Sequence, residues 1–193
     1  MIADVLLFLR KHLDDRLRVA FGGSQDEMTE RVVFLDGDRV ERVSFLLNAV
    51  TMLLINVEED RTLRNPDLYA RRAEDGTVQR VQPDVRLILY VLFVARFKQY
   101  ESAWEHLSRI LEHFQTVRVI ESTNTPDLPA GLDRLSIDLI TLGFAEQNEI
   151  WNALRTTHHP SLLYRVKLLA FRDRQPVELP EVVEVGTDLG RVT

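Results

Sequence analysis

The residues best suited to chemistry gather in a few places, and spacing decides what each could do. The densest acidic cluster is Glu58-Glu59-Asp60. A magnesium site wants carboxylates that converge from separate elements. Three consecutive residues on a strand alternate in direction, so at most two share a side. A solvated or interface role is therefore favoured over a metal site. Pro83-Asp84 precedes a long apolar run, as an acid does at the entry to a metal-dependent nuclease core of restriction type. That chemistry also needs an acid-x-Lys element on a neighbouring strand, so that two carboxylates hold magnesium while the lysine supports attack. Lys98 follows Arg96-Phe97 and Lys167 follows Arg165-Val166, so the second acid is missing.

The histidines give no better centre. His158-His159 precede Pro160, and adjacent side chains of an extended segment point apart rather than chelate one ion. His12, His106 and His113 fall on predicted helices, where a surface position is expected. Ser161 lacks the flanking glycines of a nucleophile elbow. Gly22-Gly23 follows a predicted helix rather than a strand, which excludes a phosphate-cradling loop. Trp104, Phe114 and Trp151 recur at helical spacing and read as core. Nothing here supports catalysis, a metal or a cofactor.

What remains is association. Arg61, Arg64, Arg71, Arg72 and Arg80 crowd the stretch after the acidic cluster. A segment presenting both signs can stitch identical copies together, although a solvated loop explains it equally well. The 193 residues carry a net charge of −6, 45% hydrophobic and 28% charged side chains, and no cysteine. Disulfide frameworks, thiol catalysis and cysteine-ligated metals are excluded. The acidic balance argues against nucleic-acid binding, which needs clustered Lys and Arg. The longest apolar stretch, Leu87 to Ala95, is about half of what a membrane span needs. The N-terminal Met1-Ile2-Ala3-Asp4 lacks the basic start of a signal peptide, so a soluble, unexported protein is expected.

The elements that must position these residues follow from periodicity. Ile2, Val5, Leu6, Leu9, Leu13 and Leu17 recur at three- and four-residue steps and predict an amphipathic helix. Arg31 to Leu35 predicts a short strand, and Ala49 to Glu59 a strand buried on both sides. Glu58 to Gly76 is dense in charge and reads as a long exposed loop. Asp84 to Phe97 has two apolar faces, so a central strand is expected there. A helix from Tyr100 to Phe114, a strand at Val117–Ile120, a strand at Leu135–Thr141, a helix around Ala145–Arg155 and a strand after Pro160 complete the domain. The expectation is one α/β (α+β) domain over residues 1–173: a mixed, mostly antiparallel sheet of about five strands with about three helices. Residues 174–193, with Pro176, Pro180 and Val182 to Val185, read as an extended acidic tail or arm. Such an arm can add a strand to a neighbour's sheet edge.

Several segments carry a family resemblance. They are Asn48 through Asn65, Leu87 through Ala95, Tyr100 through Phe114, Glu149-Ile150-Trp151-Asn152-Ala153-Leu154 and Pro160 through Val166. Together they resemble the tail-terminator or cap proteins of phage-tail-like contractile injection systems, of the Photorhabdus virulence cassette and antifeeding-prophage type. The resemblance runs from Met1 to Asp173. It implies a structural protein without substrate or cofactor: a hexameric ring that closes the end of the inner tube and sheath distal to the baseplate. Its partners would be itself, the inner tube protein and the sheath protein. Assembly would take place in the cytoplasm, before the cap becomes part of a particle that can be released. Within that frame Glu58, Glu59, Asp60, Arg61, Arg64 and Asn65 are the expected subunit or sheath contacts, and Trp151, Leu154 and Pro160 serve the fold. The alternatives are a baseplate or adaptor component of the same machines, and a soluble metal-dependent hydrolase or nuclease.

Overall fold

One strand, β5 (Val85–Arg96), organises the molecule because both of its faces are apolar. The computed structural model describes residues 2–22, 30–35, 43–60, 70–72, 78–80, 85–132 and 134–171. Around β5 stand α1 (Ile2–Ala20), β1 (Val32–Phe34), β2 (Ala49–Glu59), α2 (Tyr100–Thr116), β6 (Val119–Glu121), β7 (Arg134–Ile140), α3 (Phe144–Ala153) and β8 (Ser161–Phe171). A separate hairpin is made by β3 (Ala70–Arg72) and β4 (Val78–Arg80).

The main sheet has the order β1-β2-β5-β8-β7-β6. β1 runs parallel to β2, and every other neighbour is antiparallel. This is the expected mixed α/β (α+β) sheet with three helices among the described residues, and six strands rather than about five. The six match the six strand segments named from periodicity, with β1 and β6 as edge strands of three residues each.

Alternation along β5 divides the core between the two faces of the sheet. Leu89, Val91, Phe93 and Ala95 turn to the face covered by α1 and α2, where Val5, Leu9, Leu13, Leu107, Ile110 and Phe114 are buried. Phe93, Phe114 and Tyr164 interlock there, with ring centroids 5.0 to 6.2 Å apart. Leu92 and Val94 turn to the opposite face, where Phe45, Trp151 and Leu163 complete a smaller cluster. Fully burying each large side chain contributes about 1.5–3 kcal/mol, so the first face carries most of the stability.

Two helix residues depart from the expected pattern. Trp104 is 45% exposed rather than core, meeting Tyr100 edge to face at 5.9 Å on the surface. It stands on the flank of the stripe set by Ala103, Leu107, Ile110 and Phe114. His106, expected at the surface, is buried instead. Its ring lies between Phe21 and Phe97, at 4.1 and 4.3 Å between centroids, and its Nδ1 lies 2.8 Å from the Ser102 carbonyl oxygen.

Asp14 joins α1 to the sheet edge. Its Oδ1 accepts the backbone N–H groups of Arg31 (2.6 Å) and Val32 (2.9 Å), which open β1. Arg18 Nε lies 2.8 Å from Asp14 Oδ2, yet its N–H is not aimed at the oxygen, so the contact is an ion pair rather than a hydrogen bond. Asp14, on the flank of the apolar stripe of α1, is thus a buried anchor.

The chain forms two compact units, Met1–Arg61 with Val85–Phe171, and Thr62–Asp84 with Arg172–Thr193. The first holds the six-stranded sheet. Of the second, the β3–β4 hairpin is described, with Ala70 opposite Arg80 and Arg72 opposite Val78. The stretch Glu58–Gly76 is therefore not simply a loop: β2 continues through Glu59, and β3 falls within it. The sequence does carry a hairpin signal, Asp75-Gly76, which the charge density of the segment obscured. The acidic tail, 174–193, lies outside the described residues.

Candidate functional site

The acidic cluster sits where β2 runs out of the core. Ala49 to Met52 are buried, Leu53 to Ile55 are half-buried, and Asn56 to Glu59 are exposed. β2 pairs with β5 along its whole length, with a bulge between Leu54 and Asn56. Leu54 faces Val91 and Asn56 faces Tyr90, so Ile55 is the extra residue. A bulge of this kind changes which side chains share a face with the partner strand. It places Asn56 beside Tyr90 and Glu58 beside Ile88.

The result is a braced carboxylate. Tyr90 Oη donates to Glu58 Oε2 at 2.9 Å, and Asn56 Nδ2 donates to Glu58 Oε1 at 3.0 Å. Asn56 Oδ1 accepts the Val57 N–H at 2.9 Å. The hydrogen bond to Glu58, reinforced by burial, raises the pKa of the Tyr90 phenol above its ordinary 10. The polar row continues across the sheet, since Tyr90 faces Arg165 and Arg165 faces Asp138. Arg165 Nη2 lies 3.4 Å from Asp138 Oδ2.

Glu59 follows Glu58 on the strand and turns to the other face. Asp60 comes just after β2, and its N–H donates to the Arg86 carbonyl at 2.8 Å. The carboxylates therefore spread around a strand end instead of converging on one ion. Among the described residues no group of three His, Asp or Glu side chains could hold a metal. Arg61, Arg64 and Asn65, the other half of the expected contact site, lie outside the described residues.

The outer edge of β2 adds something that periodicity did not reveal. β1 pairs with Val50 to Met52 alone. Among the described residues no strand pairs with the outer edge of Leu53 to Glu59, the stretch that leads into the acidic end. Open edges of this length are templates for pairing, and charge is a common guard against the wrong partner.

The other candidate residues serve packing. His159 lies half-buried, edge-on to Phe45 at 5.5 Å and to Trp151 at 6.0 Å, and desolvation by burial lowers its pKa, with Arg96 adding to the effect. His158 is exposed, beside Trp151, with its Nε2 3.0 Å from Gln147 Nε2. Trp151 and Pro160 are buried, and Leu154 packs partly buried on the smaller cluster. Among the described residues no helix is long and apolar enough to cross a membrane.

The chain belongs to the Pvc16 N-terminal domain family, whose model matches residues 4–184. Over 98% of its length it is similar to the sheath/tube terminator of an extracellular contractile injection system, PVC, seen by cryo-electron microscopy in the extended state. That similarity has a TM-score of 0.53 at 16% sequence identity and covers 65% of the terminator chain. It is also similar, over 72% of its length, to the tube-terminating cap of the anti-feeding prophage, with a TM-score of 0.45, 17% identity and 48% of that chain covered. The chain thus spans less than two thirds of either protein, and the likeness to the terminator is one of fold. No curated protein matches the sequence.

Proposed function

We propose that this domain is the structural core of a terminator for a contractile injection system. In this reading copies of it form a hexameric ring over the last ring of tube subunits, stop tube growth and hold the last ring of sheath. The observation that carries the proposal is the shared fold with the PVC sheath/tube terminator across 98% of the chain, within the Pvc16 N-terminal domain family. Residues 1–173 are the terminator domain and 174–193 an arm. The role is mechanical, with no substrate, and the ring is built in the cytoplasm before it joins the particle.

Ring closure needs a heterologous contact, in which one patch of each copy meets a different patch of the next. Glu58, Glu59 and Asp60 supply one sign, and Arg61, Arg64 and Asn65 supply the other with a neutral donor. Like charges brought together across such a contact cost several kcal/mol, enough to prevent a ring from closing. The triple change E58K/E59K/D60K and the pair R61E/R64E are therefore each expected to abolish rings in mass photometry. Mixing the two variants restores opposite charges at every contact of an alternating ring and is expected to restore rings. Persistence of rings in R61E/R64E alone would remove this segment from the interface.

A further inference from the structure

His12 on α1 and His113 on α2 meet head to head. Their Nε2 atoms are 2.9 Å apart, with ring centroids at 5.0 Å and planes tilted by 48°. A hydrogen bond between two imidazole nitrogens needs one N–H and one lone pair. The pair therefore tolerates one added proton, but the doubly protonated pair would set two donors and two positive charges against each other. The rings are also held in place from behind. His12 stacks on Phe8 at 5.5 Å, and His113 lies 5.3 Å from the ring of Phe114, a core residue.

Charged groups surround the pair on each packed element. On α1, Arg16 opposes charge on both imidazoles, while Asp15 favours it on His12. Asp4, Arg10 and Lys11 of α1 line the cleft beside His12, together with Asp127 from the loop after β6. Arg10 pairs with Glu30 at 2.6 Å, and Lys11 lies 3.9 Å from Asp127. On α2, Arg109 and Glu112 pair with each other at 2.9 Å.

We propose that this imidazole pair is an acid-sensitive clasp for the N-terminal helix: protonation of both rings makes opening of α1 from α2 more frequent, while α2 and the sheet stay closed. α2 is tied into the sheet at both ends, through β5 and β6, so α1 is the side that yields. Titration supports the geometry. Burial above all, then the neighbouring His12 and Arg16, hold the pKa of His113 down at about 4. Burial, then Arg16, lowers that of His12 as well. Because the closed form binds protons less readily than the open form, closure is stabilised above about pH 6.5 and weakens as pH falls toward about 4. This inference stands independently of the terminator reading.

The test is hydrogen exchange on the full chain, corrected for intrinsic exchange rates, in the wild type and in His113→Gln, which cannot titrate. Between about pH 7.5 and pH 4.5, α1 amides of the wild type should lose roughly 10- to 100-fold more protection than those of the variant. Protection in β5 should match between the two proteins. An equal loss in both proteins, or a parallel loss in β5, overturns the proposal. Should His113→Gln fail to fold, imidazole proton titration of the wild type decides. Two coupled steps with the lower near about 4 support the clasp, and independent titration of both rings near about 6.5 overturns it.

Discussion

Replacing Asp14 by alanine is expected to cost about 3–5 kcal/mol, the range for breaking a buried charge pair. Asp14 is only 5% exposed, and its carboxylate serves three groups at once. Two of them are backbone donors, from Arg31 and Val32, and the third is Arg18. Truncation leaves the N–H of Val32, a fully buried residue, without an acceptor and removes the counter-charge of Arg18. Unmet buried donors cost about 1–3 kcal/mol each. Because these donors open β1, the damage should centre on the β1–β2 edge, the one parallel pair in the sheet. Asp14→Asn keeps an acceptor and should lose only about 1–2 kcal/mol. Urea unfolding of the two variants against the wild type checks the order and the sizes.

Trp151→Ala is expected to have a comparable effect, about 3–5 kcal/mol, for a different reason. The smaller face of the sheet depends on few buried residues: Phe45, Leu92, Val94, Trp151 and Leu163. Trp151 is 4% exposed and is the link from α3 to Phe45, at 6.0 Å edge to face, and to His159. Removing an indole from a tight cluster loses its transfer energy and leaves a cavity that neighbours only partly fill. α3 is ten residues long and has no other buried side chain, so it should detach before the rest of the domain. The chain has two tryptophans, and Trp104 is exposed. The variant should therefore lose its blue-shifted fluorescence along with α3 helicity, while the wild type shows both emission classes.

The parts of the fold legible in the sequence are those fixed by local periodicity. β2 and β5 have long runs with two apolar faces, and their ends lie where alternation gives way to charge or to helical spacing. The stripes of α1 and α2 likewise point to the residues buried on the larger face. What could not be read depends on register between elements. The bulge at Ile55 decides that Glu58 meets Tyr90, and no residue type announces it. His12 and His113 each look like surface residues on their own helices, and only the pairing of α1 with α2 brings them together. Asp14 falls three residues before Leu17, on the flank of the apolar stripe, with Arg18 four residues on; that arrangement was the available signal for a buried ion pair. The acidic cluster at the end of β2 was legible, whereas the lack of a described strand along the outer edge of Leu53 to Glu59 was not, because edge or centre is a property of the sheet.

The proposed role of this domain is to close a tube as a ring. It is tested most directly by negative-stain microscopy with mass photometry on the purified chain, alone and mixed with short inner-tube assemblies. Six-fold rings are expected, together with caps seated on tube ends that no longer extend. A protein that stays monomeric and leaves tube ends bare and growing would contradict it.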